Sequence, residues 1–251
     1  MEPFDVISGC ATDKGEYREK NQDRIISLTA GGGKSLLTLS CICDGIGSLK
    51  MSEIASEMMT AGLSEWLNHV KNYYPEIMNC TDMADSLEEE IKKLNETIYE
   101  YRMNRENAIG CTMSVLFTAG DDYYIFHAGD SRIYLVTDTM KQLTRDEVVV
   151  KEKNGIMKEL LANYVAKQKK IWMVRTGGKI KPGNMYIIGS DGLFKRLCHD
   201  DITSVSSGLS SKNISRACGE LIRTVRNRGE TDNVSCALVY AAPRKRLLWL
   251  L

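Results

Sequence analysis

The order of hydrophobic patterns along the chain predicts strands, then two helices, then more strands and one late helix. Strand-like runs open the sequence as "FDVISGCATDKG", "RIISLTA" and "SLLTLSCICDG", and the last two flank "GGGK" as the arms of a hairpin would. Apolar residues then recur every three or four positions from Ile54 to Val70, before Pro75, and again over residues 82–104. These two stripes predict amphipathic helices packed on a core.

The second half of the chain returns to β patterns. "CTMSVLFTAG", "DYYIFHAGDSRIYLVT", "IWMVRTGG" and "GNMYIIGSDGLF" are typical of strands, with tight turns at "AGDD" and "DTMK". Residues 146–170 are lysine-rich and weakly periodic, so we expect a helical or mobile insertion there. A helix over about residues 213–228 and a strand in "DNVSCALVYAA" follow. This order predicts two packed sheets with helices outside, in one domain over residues 1–243 with a short tail, 244–251.

Composition excludes several classes of protein. The 251 residues are 43% hydrophobic and 26% charged, and the formal net charge of +0 predicts no binding to nucleic acid. No apolar run approaches the ~20 residues of a transmembrane helix, and "MEPFDVISGC" has no pattern of a secretory signal. The eight cysteines form no CxxC pair, which favours reduced, structural thiols. We therefore expect a cytoplasmic protein. We also predict that it acts as a monomer.

Five aspartates lie where hydrophobic runs begin or end, and they are the strongest chemical signal in the sequence. They are Asp23, Asp44, Asp130, Asp191 and Asp232. A single Asp-Gly pair is usually only a turn, but carboxylates gathered at one end of a sandwich would repel each other unless a cation held them. Hard ions such as Mg²⁺ and Mn²⁺ prefer such oxygen ligands. A metal, with Arg132 as a further partner, would make Asp130 tolerable inside a strand-like stretch.

Seven motifs in order carry a resemblance to a known family. The segments "REKNQDR", "CDGIGS", "GCTMSVL", "HAGDSRIYL", "LTRDE", "GSDGLF" and "ETDNVSCALV" resemble those of the metal-dependent PP2C (PPM) family of protein serine/threonine phosphatases, in its compact bacterial form. The resemblance extends from about Asp5 to Ala241. It implies an α+β fold in which a central antiparallel β-sandwich is flanked by helices on both sides, an αββα arrangement.

The resemblance also implies a centre of two Mn²⁺ or Mg²⁺ ions and assigns ligands to it. Asp44 resembles the carboxylate that bridges both ions, and Gly45 the residue whose carbonyl binds the first. Asp191 and Asp232 resemble ligands of the second. Two such ions would make a bridging water nucleophilic toward phosphorus, so no protein nucleophile is needed.

Three further positions take roles from the resemblance. Asp23 resembles the acid that holds metal-bound water, and Asp130 matches a position tied to a third, weaker metal that it shares with Asp191. Arg18 resembles the arginine that grips the substrate phosphate, as a planar guanidinium can. The expected substrates are phosphorylated proteins, the products of a Ser/Thr kinase.

The chain departs from the family pattern at three places. Ile46 stands where some members have a histidine proposed as general acid, "LTRDEV" lacks the His and Ser of the usual "DHS", and the segment 147–170 is shorter than the usual flap. These departures leave the expected metal chemistry intact. They leave open the proton source for the leaving group and the choice of substrate.

The same residues bear on other functions. No cysteine has an arginine six positions later, so a cysteine-dependent phosphatase is excluded, and "GDSR" lacks the partner motifs of calcineurin-type enzymes. A catalytically inactive scaffold or phosphoprotein sensor of the same fold is the main alternative. The tail "RKRLLWLL" could touch a membrane surface but is too short to span one, and a frayed or packed terminus is the preferred interpretation.

Overall fold

Two five-stranded antiparallel sheets pack face to face, in a computed structural model that describes residues 3–32, 36–49, 51–104, 109–153 and 156–244. In chain order the elements are β1 (Phe4–Asp13), β2 (Arg24–Ala30), β3 (Leu37–Cys43), α1 (Ser52–Val70), α2 (Cys80–Asn104), β4 (Met113–Ala119), β5 (Asp122–Ala128), β6 (Arg132–Val136), β7 (Met140–Gln142), β8 (Val148–Lys153), β9 (Ile156–Leu161), β10 (Val174–Lys179), β11 (Met185–Gly189), α3 (Asp191–Phe194), α4 (His199–Ser206), α5 (Ile214–Asn227) and β12 (Val234–Pro243). One sheet has the order β1-β12-β11-β6-β7, and the other has the order β10-β5-β4-β3-β2.

Helices cover the outer face of each sheet, which confirms the predicted α+β sandwich. Strand β3 is buried along its whole length because both of its faces are covered. Its residues Leu39 and Cys41 pack with α1 and α2, whereas Ile42 points into the layer between the sheets. Helices α4 and α5 pack on the opposite sheet in a separate apolar cluster. The alternation along the strands thus builds three hydrophobic layers from two sheets and their helices.

The pattern-based predictions hold for the long helices and the hairpins. Helices α1, α2 and α5 match the three predicted stripes to within two residues at each end. Strand β2 pairs with β3 as the predicted hairpin, and "AGDD" and "DTMK" turn between β4 and β5 and between β6 and β7. No described helix is long and apolar enough to cross a membrane.

The stretch "DYYIFHAGDSRIYLVT" is not one strand, which corrects the sequence prediction. It divides into β5, which pairs with β4 and β10, and β6, which pairs with β11 and β7 in the other sheet. The break lies at Gly129, whose φ of 120° is one that residues with a side chain rarely adopt. A strand-like pattern cannot show that the chain changes sheets, because both halves carry the same apolar alternation.

Two other predictions also need correction. Within the segment expected to be a helical or mobile insertion, residues 148–153 and 156–161 form a two-stranded hairpin, consistent with the β-branched run Val148, Val149 and Val150. The strand expected in "GNMYIIGSDGLF" ends at Gly189, and Asp191 begins the short helix α3. All eight cysteines are free, and Cys198 alone among them is exposed. Residues 245–251 of the predicted tail lie outside the described residues.

Hydrogen bonds from a buried histidine hold the crossing between the sheets. His127 Nε2 lies 3.0 Å from the carbonyl oxygen of Arg145, and its Nδ1 lies 2.9 Å from Ser114 Oγ. The same Ser114 hydroxyl lies 2.9 Å from the carbonyl oxygen of Ser131, so it contacts both sides of the crossing. Because a carbonyl can only accept, His127 Nε2 donates to Arg145, and the Ser114 hydroxyl donates to Ser131. His127 is therefore a structural residue that fixes the turn carrying Asp130.

We predict that Gly129→Ala destabilises the protein, because a Cβ at this position would lie 2.7 Å from the Cβ of Thr112 and would force a residue with a side chain into a positive φ. The expected loss in the free energy of unfolding is about 1–3 kcal/mol. Gly219→Ala is the matched control, since a Cβ on this residue of α5 would meet no other atom within 4 Å and alanine favours helix. Urea denaturation of both variants measures the difference, and equal stabilities would contradict the prediction.

We also predict that the contribution of His127 to stability falls as the pH is lowered. Burial lowers the pKa of His127, so between pH 7 and 5 the unfolded chain gains a proton that the folded chain takes up only at lower pH. The difference in free energy of unfolding between wild type and His127→Gln should shrink over this range. His69→Gln, on the exposed face of α1, is the control. A difference that stays constant with pH would count against this assignment.

Candidate metal centre

One cleft of about 150 Å³ collects the acids that the sequence places at separate strand ends. The residues that line it are Arg18, Gln22, Asp44, Gly45, Ile46, Gly47, Thr112, Asp130, Leu161, Asp191, Asp232 and Asn233. Among the site residues predicted from the sequence, Asp23 alone is outside this lining, and its carboxyl interacts with that of Asp44. Residues more than 200 positions apart thus share one site.

The positions of these acids follow from where the strands stop. Asp44 comes directly after β3, and Asp130 lies in the turn where the chain crosses between the sheets. Asp191 begins α3 just beyond β11, and Asp232 precedes β12 by two residues. Because these strand ends meet at the same edge of the sandwich, the fold gathers four carboxylates that no local pattern connects.

Asp23 is a buried acid behind the cleft. Its side chain is 1% exposed, and its Oδ2 accepts a hydrogen bond of 2.7 Å from the Ser235 hydroxyl. Its Oδ1 is buried without a hydrogen-bond partner in the described residues. Burial raises the pKa of Asp23 to about 6 because the charged form loses its hydration. A buried oxygen with an unused lone pair is suited to a ligand or a water molecule.

Repulsion among carboxylates adds to the effect of burial at the centre of the cleft. The pKa of Asp44 is held well above its usual range, first by burial and then by the charges of Asp23 and Asp191. The pKa of Asp130 is raised to about 6, again by burial first and by Asp191 second. Such an arrangement favours either protonation or the approach of a cation.

Main-chain contacts fix the turn at Asp44 and Gly45. The amide of Asp44 donates to Thr112 Oγ1 at 3.0 Å, and the amide of Thr112 donates back to the Asp44 carbonyl at 2.8 Å. The Gly45 amide donates to the carbonyl of Gln22, and a Cβ on Gly45 would lie 2.8 Å from that same oxygen. Only glycine therefore fits between the loop of residues 18–22 and the edge of the sheet.

Asn233 ties two separate loops to each other, a role that the sequence analysis did not identify. Its Oδ1 accepts from the Gln22 amide at 2.9 Å, and its Nδ2 donates to the carbonyls of Lys14 and Lys20. These bonds join the loop that carries Arg18 to the one that carries Asp232. The motif "ETDNVSCALV" contained Asn233, but nothing in the motif indicated which loop it would contact.

Two cations pair with the acids at the mouth of the cleft. Arg18 Nη2 lies 2.8 Å from Asp232 Oδ1, and the Arg18 side chain is 46% exposed. Lys195 Nζ lies 2.7 Å from Asp191 Oδ2 and 3.8 Å from Asp232 Oδ2. Arg18 was expected in the site. Lys195 was not, because helix α3, which brings Lys195 close to Asp191, was not predicted from the sequence.

Arg132 does not neutralise Asp130, which corrects a further expectation. It makes a two-pronged ion pair with Asp146, with contacts of 2.6–3.0 Å. The neighbouring Glu147 accepts hydrogen bonds from the amide of Gly129 and from Asn163. The segment "LTRDEV" thus supports the turn around Asp130 from behind, although it lacks the family's usual pattern.

The donor set of the cleft suits a hard divalent ion. Carboxylate and carbonyl oxygens supply it, and the residues that line the cleft include neither histidine nor cysteine. In the part of the chain that the structure describes, no group of three or more His, Cys, Asp or Glu side chains is already arranged as the ligands of one metal ion. Asp191 and Asp232 are directed instead to Lys195 and Arg18. The oxygen ligands of the cleft therefore suit divalent ions. Two of its four acids, Asp232 and Asp191, are paired with Arg18 and Lys195.

A larger cavity of about 620 Å³ lies next to this cleft, beside the hairpin β8–β9. Its walls include Tyr164 and Trp172 and the basic residues Arg145, Lys167 and Lys170. Asp146 and Glu147, which also line it, are already held by Arg132 and by Gly129 and Asn163. Size alone does not make it the chemical centre, because its described walls hold no gathering of free acids.

Comparison with known proteins identifies the family. The sequence model of protein phosphatase 2C matches residues 16–238. A protein phosphatase 2C-type protein of Streptococcus pyogenes serotype M6 is 31% identical over 247 residues, which cover 91% of this chain and 95% of the relative. The solved serine/threonine phosphatase of S. agalactiae is 25% identical with a TM-score of 0.78, over 94% of this chain and 99% of that one.

A third protein shows the same fold at lower identity. The catalytic domain of the serine/threonine protein phosphatase PstP, solved in complex with 2 manganese ions, has a TM-score of 0.72 and 21% identity. The match covers 94% of this chain and 98% of that domain. Together with the family match over most of the sequence, these similarities show that the chain belongs to the protein phosphatase 2C family of metal-dependent protein serine/threonine phosphatases.

Proposed function

We propose that the cleft is a centre of two Mn²⁺ or Mg²⁺ ions that hydrolyses phosphoserine and phosphothreonine in phosphorylated proteins. The observation that carries this proposal is the gathering of Asp44, Asp191 and Asp232 at one sheet edge, with Arg18 at the mouth. The manganese ions of PstP support the choice of metal. Action on the products of a Ser/Thr kinase, in the cytoplasm and as a monomer, remains a prediction.

Each acid has a distinct role in the proposed centre. Asp44 and the Gly45 carbonyl would hold the first ion, and Asp44, Asp191 and Asp232 would hold the second. Asp23, with a buried oxygen that lacks a partner among the described residues, would hold a water molecule behind them. The ions, when bound, would lower the pKa of a shared water and turn it into the nucleophile that attacks phosphorus.

Arg18 is the proposed phosphate ligand. Its guanidinium is half-exposed at the mouth of the cleft, next to the turn at Gly47, where a bound phosphate monoester could reach it. Its planar fork can donate two parallel hydrogen bonds to phosphate oxygens. A phosphate group would compete with Asp232 for these donors, so substrate binding would release Asp232 from Arg18.

The leaving alcohol needs a proton from a source other than residue 46. Ile46 lines the cleft and has no titratable group, and no histidine stands among the lining residues. The proposed proton source is water in the open cleft. Ile46 would then exclude bulk solvent from one side of the phosphate rather than take part in proton transfer.

One observation supports a second candidate function. Arg18 and Lys195 already neutralise Asp232 and Asp191 without any ion, so the same fold could persist as a scaffold or phosphoprotein sensor. Such a protein would bind phosphorylated partners but would not turn them over. The requirement for metal separates the two functions.

We predict that Asp191→Asn abolishes a Mn²⁺-dependent phosphatase activity. The expected loss in kcat/KM on a chromogenic phosphate ester exceeds about 100-fold, since even residues behind metal ligands cost 10- to 100-fold. EDTA should have the same effect on the wild type. Asp200→Asn, whose side chain in α4 is 98% exposed, is the matched control and should retain activity. Wild-type protein without activity under any metal condition would favour the scaffold.

We predict that Arg18→Lys lowers kcat/KM about 10- to 100-fold, because losing one charge-assisted hydrogen bond costs roughly 1.5–3 kcal/mol. A lysine keeps the charge but cannot reproduce the fork. Arg223→Lys, on α5 with a side chain 68% exposed, controls for the substitution itself. Steady-state kinetics on a phosphopeptide measures the effect, and unchanged kinetics in Arg18→Lys would remove Arg18 from phosphate binding.

A further inference from the structure

The cavity of about 620 Å³ beside the hairpin β8–β9 shares a wall with the acidic cleft. Leu161 lines the cleft, and the next residue in the chain, Ala162, lines the cavity. Val148, which pairs with Leu161 across the hairpin, also lines the cavity. A protein segment that enters the cleft can therefore extend into the cavity within a few residues.

This cavity presents positive charge that the protein itself does not use. Arg145 and Lys170 have exposed side chains that form no hydrogen bond or ion pair with other described residues. Lys167 is also exposed, and its Nζ donates to the Ala162 carbonyl and lies 5.8 Å from the centre of the Tyr164 ring. A carbonyl and a ring leave the charge of Lys167 without a counter-ion.

The two acids in the wall do not cancel this charge. Asp146 Oδ2 lies 2.6 Å from Arg132 Nη2, and Arg132 is outside the lining, so a cation behind the wall neutralises Asp146. Glu147 Oε2 accepts from the Gly129 amide and from Asn163, and its Oε1 is buried. The charge that remains in the cavity is therefore positive.

Two aromatic side chains add contact area next to the cations. Trp172 is 63% exposed, and its carbonyl accepts a hydrogen bond of 2.8 Å from Asn163 Nδ2, which holds its backbone in place. The ring of Tyr164 packs against Gly110, where a Cβ would lie 2.8 Å from the ring. Exposed aromatic rings on a held backbone are suited to packing on a peptide.

A buried asparagine of α2 holds the segment that carries the lysines. Asn95 is fully buried, and its Nδ2 donates to the carbonyls of Gln168 and Lys169 while its Oδ1 accepts from the Ala166 amide. The side chain of Lys169 is directed away from the cavity, to two glutamates of α2. Lys170 is therefore presented to the cavity by a backbone that α2 fixes.

We propose that this cavity binds an acidic stretch of the phosphoprotein substrate, next to its phosphorylated residue. The inference rests on the proposed function and names the class of substrate that the enzyme prefers. Aspartate or glutamate side chains would pair with Arg145 and Lys170, and the peptide would pack on Trp172. Charge complementarity of this kind selects among partners that share the same phosphorylated residue.

The test compares phosphoserine peptides of equal length, with neutral flanks or with aspartates on the N-terminal or C-terminal side. The measured quantity is the ratio of kcat/KM for an acidic peptide to that for the neutral peptide, with Mn²⁺ present. Wild type should prefer one acidic peptide about 3- to 10-fold, because each exposed ion pair contributes up to roughly fivefold. The double variant Arg145→Gln with Lys170→Gln should have a ratio near one.

Lys169→Gln is the matched control. It removes the same charge from the residue beside Lys170, but Lys169 is outside the lining and its charge is already paired with glutamates. The control should keep the wild-type ratio. Added salt should lower the ratio in wild type and leave the double variant unchanged, because exposed charges are screened.

A second measurement does not depend on the metal centre. Fluorescence anisotropy of labelled peptides without phosphate, in the presence of EDTA, reports binding to the cavity alone. Wild type should bind the acidic peptide more tightly than the neutral one, and the double variant should lose this difference.

The possible results separate this inference from the proposed function. Wild type that hydrolyses all the peptides equally would overturn the inference and leave the phosphatase function standing. A preference that persists in the double variant, or that Lys169→Gln removes, would also overturn it. Tighter binding of the acidic peptide by wild type without hydrolysis of any peptide would support the cavity and overturn the proposed function.

Discussion

The repulsion among buried carboxylates is the interaction on which the rest of the site depends. Asp23, Asp44 and Asp130 all have raised pKa values, because each loses hydration and faces other acids across a small cleft. A sandwich edge can hold such groups if they are protonated or if positive charge lies close by. Arg18 and Lys195 supply part of that charge, and the proposed ions would supply the rest.

Hydrogen bonds and an ion pair brace the loops that carry these acids. Carboxylates that repel each other would move apart if their loops were free to do so. Thr112 clamps the Asp44 turn, Asn233 joins the two loops at the mouth, and Asp146 and Glu147 brace the crossing from behind. The residues that support the site are therefore neutral or paired. Thr112 and Asn233 line the cleft, whereas Asp146 and Glu147 lie outside its lining.

Much of the fold could be predicted from the sequence, because long periodic stripes and short hairpin turns are local properties. The helices α1, α2 and α5 and the β2–β3 hairpin fall where apolar spacing placed them. The short elements were not predicted. Helix α3 is only a single turn, and the β8–β9 hairpin is formed by a lysine-rich segment with weak alternation. Packing, rather than propensity, decides elements of that length.

The sequence by itself identified the candidate residues for the chemistry, since aspartates beside glycines at strand ends and the order of the motifs are visible in one dimension. The tertiary structure decided how those residues are paired. The crossing at Gly129 puts β5 and β6 in different sheets, Arg132 turns to Asp146 rather than Asp130, and Lys195 reaches Asp191. Charge pairing depends on distances of a few ångströms between segments that are far apart in the chain, and spacing along the sequence does not encode them.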